Sequence, residues 1–546
     1  MKVAGYTTII LVLLFSFVFA GGIVTNTNQS ADFTRTLNRN ASTDLDAVFF
    51  NPAGLSKLDD GFHLYLSNQT ISQGREITSD VSFLNAEKFE GTTFAPVFPN
   101  FYLAYKMNRL TFAAGFTPIG GGGSAEFPDG LPSFEVPASV IPASLVAGGI
   151  PTTSYSLDVE FNGSSIYMGG QASVTFKIND MISVAAGARY FSAMNTYEGH
   201  LKDIMVDPTY PDLGFDGSMT SAPAFFTTMQ GALTAGAAQA TAGATSATGG
   251  AAGLQPLIDL GAGGTSFDNL VLGGYMTQAQ IDEVGAGLTA LGFTWDSSVY
   301  TPNTAQASFS GAAASLTTMA ADLTTQAGEM AYNAAATADI EVDAEQTGTA
   351  FAPIFGLYVS PMENLGIGIR YEAMAALELE NSTKVDGSGL FPDGAKTNAD
   401  MPAMLGVGVA YKVMPSLRLE FDYNLYFNEA VDWDGKEDHV ENGTEIGFAA
   451  EFALSNALTL SGGYLISTSG AKDTYHTDLS YSLNSSTLGF GAKYALNPTT
   501  ALSVGFSNTM YEEGSKTGVD YRGLITGKET YLKTAVVFAF GIQKSF

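Results

Sequence analysis

Three arginines stand in segments where polar and apolar residues alternate, and two of them have acids at the same parity. Arg370 precedes Glu372 by two residues, Arg418 is followed by Glu420 and Asp422, and Arg189 lies in the run Ala186-Gly-Ala-Arg189-Tyr-Phe. In an extended strand residues two apart share a face, so each guanidinium faces the polar side. A guanidinium is a planar fork that grips a carboxylate through two parallel hydrogen bonds. The chemistry on offer is therefore anion binding, with an internal ion pair to Glu372, Glu420 or Asp422 as the competing use. Catalytic spacings are missing: there is no G-x-S-x-G, no H-E-x-x-H and no phosphate loop. The four histidines, His63, His200, His439 and His476, are scattered at expected rim or solvent positions, and cysteine is absent. The acidic stretch Asp432–Glu445 lacks the order of a calcium loop. We expect no enzyme, no cofactor and no metal site. A net charge of −30 argues against a nucleic-acid partner.

The elements that position these arginines are strands. The cleanest is Leu417 to Phe427, where Leu417, Leu419, Phe421, Tyr423 and Leu425 oppose Arg418, Glu420, Asp422 and Asn424. The stretch Lys528 to Phe546 alternates in the same way and stops on an aromatic of its greasy face. Fourteen such segments are predicted, between about 61 and 546. The connections after even strands are tiny, as at Met107-Asn108, Asn179-Asp180, Met414-Pro415, Ser455-Asn456 and Asn497-Pro498. Those after odd strands are long. Short turns on one side and long loops on the other mark a transmembrane antiparallel β-barrel, and strands enter lipid only inside a closed barrel. A β-sandwich explains the alternation but not the connection parity.

Residues 1–20 read as a secretory signal peptide, with Lys2, an apolar run to Phe19 and small residues at Ala20 to Gly22. Residues 21–58 precede the first strand and end in Asp46-Ala-Val-Phe-Phe-Asn51-Pro52-Ala53-Gly54-Leu55. Such a stretch finds a place in the lumen as an N-terminal plug. The barrel then occupies 59–546. Residues 118–155 form an outer loop with more apolar side chains than solvation needs, among them Phe127, Phe134, Val136, Ile141 and Leu145. A large insertion at about 202–340, rich in Ala, Gly and Thr, has helical stretches within 222–262, at 277–291 and within 304–336 on propensity. These two could form a greasy outer groove.

With those residues in view, the chain resembles the FadL/TodX family of outer-membrane transporters for long-chain fatty acids and other hydrophobic compounds. The likeness rests on Asp44 to Leu55, on Phe94 to Phe127, on Gly366 to Glu372 and on Met401 to Tyr426. The resemblance implies a fourteen-stranded barrel plugged by its N-terminal segment, Asn51 to Gly54 included. It implies capture in the outer groove, transfer to a lumenal pocket, and lateral release at a kink in the third strand, where Gly115 and Pro118 stand. Arg189, Arg370 and Arg418 are then candidate partners for a fatty-acid carboxylate. Expected partners are a hydrophobic ligand, lipid of a Gram-negative-type outer membrane and, through Phe546, the barrel-assembly machinery. The barrel is expected to be a monomer. The alternatives are a general porin for hydrophilic solutes and a surface adhesin or antigen.

Overall fold

The structure, a computed structural model, describes residues 23–24, 30–521 and 523–546, so the expected signal peptide lies outside the described residues. The described residues form two compact bodies, one within 23–139, 157–202 and 339–546, the other within 140–156 and 203–338.

The first body is a closed antiparallel barrel of fourteen strands. They are β1 Gly61–Ser79, β2 Lys88–Met107, β3 Leu110–Phe127, β4 Tyr155–Lys177, β5 Ile182–Val206, β6 Ile340–Met362 and β7 Leu365–Glu372. The circuit continues with β8 Met404–Met414, β9 Leu417–Tyr426, β10 Gly443–Ala453, β11 Leu458–Thr468, β12 Ser485–Asn497, β13 Thr500–Tyr511 and β14 Ile525–Ser545. The β1–β14 ladder, from His63↔Ser545 to Ser79↔Glu529, closes it without a free edge. Side chains are inverted relative to a soluble protein. On β9, Glu420, Asp422 and Asn424 point inward and are buried, while Leu419 and Phe421 point outward and are exposed. Phe448, Phe490 and Phe538 face out in the same way, each more than half exposed. An apolar outer surface this extensive needs an apolar solvent around it. Among the described residues no helix is long and apolar enough to cross a membrane.

The expected connection parity holds. The turn after β2 is two residues, with Asn108 at φ 56, a left-handed position that asparagine tolerates. Two boundaries differ most from expectation. β3 runs on to Phe127 through the glycines, because its far half keeps pairing with β4, from Gly123↔Ser165 to Phe127↔Phe161. The seventh strand stops at Glu372, and residues 380–386 resume pairing with β6 higher up.

The barrel body also holds α1 Ala31–Thr36 and α2 Ala47–Phe50, and α3 Pro132–Ser139 in the loop after β3. The second body contains α4 Ile141–Ala147, α5 Ala222–Asp259, α6 Phe267–Leu272, α7 Gln278–Ala290 and α8 Pro302–Ala336. The helices α5 and α8 pair along their length. Leu233, Ala237, Ala240, Ala244 and Ala247 recur every three or four residues on the buried seam of α5, as Ala320, Leu323, Ala327 and Met330 do on α8. Phe267, Leu288 and Phe309 form the core between the hairpin, α6 and α7. The charge-poor sequence makes sense here, since alanine has the highest helix propensity.

In this body Asp207 gathers the 150–155 segment. Its carboxylate accepts from the backbone N–H groups of Thr153 and Ser154, both at 2.8 Å, and from both hydroxyls. Partial burial pushes its pKa up, but these hydrogen bonds outweigh it and bring it down to about 2. A depressed carboxyl stabilises the fold above its unfolded pKa near 4 and loses that contribution as pH falls towards 2. We expect amides 153–154 to exchange faster with solvent between pH 4 and 2, and in Asp207→Ala at neutral pH. Unchanged protection in the alanine variant would remove Asp207 from this role.

Candidate functional site

The chemistry-bearing residues converge on the barrel lumen. Residues 30–58 run through it, and almost every side chain from Ser30 to Ser56 is buried. The Ser30 hydroxyl caps α1 by accepting from Phe33 N–H at 2.8 Å. Anchors reach the wall around its circumference. Ala31 N–H donates to Ser67 on β1, Arg39 and Asn40 N–H to Asp422 on β9, and Arg35 to Glu451 on β10. Lys493 on β12 pairs with Asp44 at 2.9 Å, Ser503 on β13 donates to Asp32, and Ser183 on β5 donates to the Ala53 carbonyl. The Asn51-Pro-Ala-Gly turn has a local reason. The Asn51 carboxamide accepts from Ala53 N–H and donates to the carbonyls of Asn40 and of Leu357 on β6, and Pro52 begins a 3-10 turn.

Close approach of this segment to the wall requires glycine. A Cβ on Gly463 would lie 1.9 Å from the Thr36 carbonyl oxygen, and one on Gly368 would lie 2.0 Å from that of Asn40. Both are fixed backbone atoms, so no side chain fits there.

The three sequence-predicted arginines face inward as expected, and each already has an acid. Arg189 Nη1 donates to both oxygens of Glu372, at 2.7 and 3.0 Å, and its Nη2 donates to Gln171. Arg370 pairs with the same Glu372. Two guanidiniums thus share one carboxylate, and Arg370 Nε is buried without a partner. Phe49 of α2 lies over both, 4.3 Å from Arg189 and 5.3 Å from Arg370. The adjoining cavity, lined by Phe49, Ile119, Phe191 and Met401, measures about 30 Å³. Arg418 bridges Glu420 at 3.0 Å and Glu451 at 3.1 Å and has no charge to spare. Sequence reasoning passed over Arg75, which faces inward on β1. Its signal was present: unlike Arg370 and Arg418, it has no acid at its own parity nearby.

A larger cavity, about 240 Å³, lies above α1. Phe33 and Leu37 form its floor, with Leu465, Leu483, Val537 and Tyr511 among its walls. Its lining mixes these apolar side chains with several serine and threonine hydroxyls, Asn428 and Glu445.

The wall itself is interrupted. β2 and β3 pair from Met107↔Leu110 up to Phe101↔Phe116, then not again until Thr92↔Glu126. Residues 93–100 therefore lack β3 partners. Pro96, Pro99 and Pro118 fall in the gap, and prolines withdraw donors that the ladder would need. Phe94 and Val97 beside it are each 68% exposed. Inside, the Val24 carbonyl accepts from Gly121 N–H at 2.8 Å.

No sequence-family profile and no curated protein matches the chain. Solved structures do. A FadL homologue from Pseudomonas aeruginosa superposes with a TM-score of 0.55 at 11% identity, over 96% of this chain and 100% of that one. A TodX deltaS2S3 mutant, a monoaromatic hydrocarbon channel, gives a TM-score of 0.50 at 12% identity over 96% and 100%. This chain has the FadL/TodX fold.

Within that fold the expected lateral-opening residues divide. Pro118 lies in the gap. Gly115 stays in the ladder, paired with Tyr102 and Gln171, and its missing Cβ leaves room for Tyr102 and Val48 of α2. The expected groove residues lie in separate places, all buried but Phe134, which is half-buried. Phe127 and Phe134 pack with Ile77, Phe89 and Leu483, whereas Val136 packs with Val81 and Tyr521. Ile141 and Leu145 are buried in the second body. His63 and His476 are buried. Phe546 donates its N–H to Phe62, and its ring is 70% exposed. Among the described residues no cluster suits a metal ion.

Proposed function

We propose that this FadL/TodX-fold barrel is a passive outer-membrane transporter for hydrophobic compounds, with capture outside, a hold in the lumen and lateral release between β2 and β3. The observation that carries this reading is the unpaired wall at residues 93–100, beside a lumen filled by residues 30–58. Unpaired backbone groups facing hydrocarbon are costly, so a sequence that spends three prolines to keep a gap there gains something from it. A ligand that leaves sideways needs no energy source, because each CH₂ moved from water into lipid is worth roughly 0.8 kcal/mol. A general porin is disfavoured by the filled lumen. Arg189 and Arg370, with one acid between them, keep a net positive charge that a ligand carboxylate could use once Phe49 moves aside. Arg418 serves the ion-pair network instead. The apolar side chains Phe127, Phe134, Val136, Ile141 and Leu145 support outer capture only if their clusters open. Bacterial outer-membrane residence, assembly through Phe546 and a monomeric state belong to the same reading.

The chain has no cysteine, which makes the test clean. Thr117 on β3 hydrogen-bonds Asn100 on β2 at the gap's lower edge. Oxidised Asn100→Cys/Thr117→Cys should take up labelled oleate into cells several-fold more slowly, with recovery on reduction and no effect in either single variant. Uptake indifferent to the disulfide would rule out lateral release.

A further inference from the structure

We propose that the groove between the end of α7 and α8 is the docking site for a short cationic amphipathic helical peptide. This site belongs to the second body alone and is independent of the transport reading.

The second body carries one sign of charge. Residues 203–338 contain eleven Asp and Glu and no Lys, Arg or His, so all 24 cations of the chain lie elsewhere. Solvation alone does not ask for a single sign. Exposed parts of the barrel body mix the two, as where Lys384 meets Asp343 and Lys396 meets Glu378. A field of one sign draws in the opposite charge and repels its own. It opposes a second copy of this chain, an anionic lipid surface and nucleic acid, and it favours a cation.

Within that field lies an apolar groove of about 680 Å³, and no charged residue lines it. Leu291 and Phe293, just past α7, and Leu316 of α8 give it apolar sides, each half-buried. Gly311 and Ser315, one turn apart on α8, line it too and are exposed. A Cβ on Gly311 would meet nothing within 4 Å, so packing within the chain gives no reason for a residue that disfavours a helix interior. Gly231, Gly249, Gly253 and Gly328 are as unconstrained, but of these five only Gly311 lines the groove. There another backbone can come close.

The charge stands at the margins. Residues seven apart share a helix face, about 10.5 Å from one another along the axis. Glu283 is seven before Ala290, which lines the groove, and Asp322 is seven after Ser315. Both acids are exposed, with no cation in the body to pair with. The helix α7 also ends at the groove, where the partial negative charge of a helix C-terminus adds to the same sign. An apolar stripe flanked by lysines or arginines is the surface of a cationic amphipathic helix, and a helix laid in a groove by its apolar face is a recurring mode of recognition. The groove's length selects a short peptide over the face of a folded partner. Its residues Ala307 to Leu316 span about 14 Å of α8 at helical rise, too little for the roughly 1,000 Å² that a stable protein interface buries.

The test uses the purified full chain in phosphatidylcholine nanodiscs and a fluorescent Leu/Lys amphipathic helix of about fourteen residues, four turns. Binding is read by anisotropy against empty discs. An analogue with Glu for every Lys controls for charge, and a shuffled Leu/Lys peptide controls for the apolar face. At low salt the Lys helix should bind at least about tenfold more tightly than either control, and its lead over the Glu analogue should shrink as salt rises. Gly311→Gln puts a polar chain into the groove where its Cβ has room, and should weaken the Lys helix about fivefold or more. Glu283→Gln/Asp322→Asn should weaken it about threefold or more and flatten its salt dependence. Thermal unfolding checks that both variants fold. Either control peptide binding as tightly as the Lys helix, or no binding above empty discs, would overturn the assignment. So would full affinity for the Lys helix in either folded variant. Should neither variant fold, the three peptides on the wild type decide alone.

Discussion

Gly463→Val is expected to convert a silent barrel into a conducting one. The added Cβ would sit 1.9 Å from a backbone oxygen of residue 36, and the γ-methyls lie further into the lumen. Neither partner can yield by a rotamer change, because Thr36 ends α1 and Gly463 is locked between Ala449 on β10 and Gly489 on β12. Overpacking of a fitted core typically costs about 1–3 kcal/mol, and every 1.4 kcal/mol shifts an equilibrium roughly tenfold. The wall ladder does not depend on the segment, so the barrel keeps its form while α1 is pushed off the wall. In planar bilayers the wild type should be nearly silent and the variant should open frequently. A quiet Gly463→Val protein with undiminished thermal stability would mean that α1 does not pack where the structure places it.

The same position shows what the sequence could and could not reveal. The β9 alternation from Leu417 to Leu425 states both faces outright, so barrel, strand number and connection parity were legible from periodicity. The role of Gly463 was not, since a glycine on an inward face looks the same whether it borders water or a packed backbone. Pro118 was legible as a ladder breaker, because proline lacks the donor wherever it stands. Gly115 beside it was not, because its use is space for Val48 and Tyr102, set by a segment far away in sequence. The arginines followed the same rule. Parity placed Arg189, Arg370 and Arg418 inside, but which acid each would meet depended on strand register, which brings Glu372 to Arg189 and Glu451 to Arg418. The apolar side chains of 127–145 looked like a groove for want of any sequence signal that they pack in separate clusters, against Ile77, Phe89 and Leu483 or against Val81 and Tyr521.

That threaded segment has one anchor whose loss should exceed all the others. Arg39 is fully buried, and its guanidinium donates to both oxygens of Asp46 at 2.8 and 2.7 Å, to Asp44 at 2.9 Å and to the Ser42 hydroxyl at 2.7 Å. Asp46 also accepts from Ser30, the residue that caps α1. One cation thereby ties the start of α1 to the turn before α2. Arg39→Met keeps the length of the side chain and removes the charge, which leaves Asp46 buried without its cation. Breaking such a pair from one side costs about 3–5 kcal/mol, enough to lower the docked fraction by two orders of magnitude or more. The cost falls on the lumenal segment and not on the β-ladders, since Arg39 offers the wall only its backbone N–H. Residues 30–58 should therefore become sensitive to added protease and quick to exchange amide hydrogens, in a barrel whose strands stay protected. Asp46→Asn in the same background should recover part of the loss, because it removes the stranded charge. If Arg39→Met leaves the segment as protected as in the wild type, the fixing must come from the wall contacts of Arg35, Asn40 and Asn51. Gating by ligand would then have to begin at the wall.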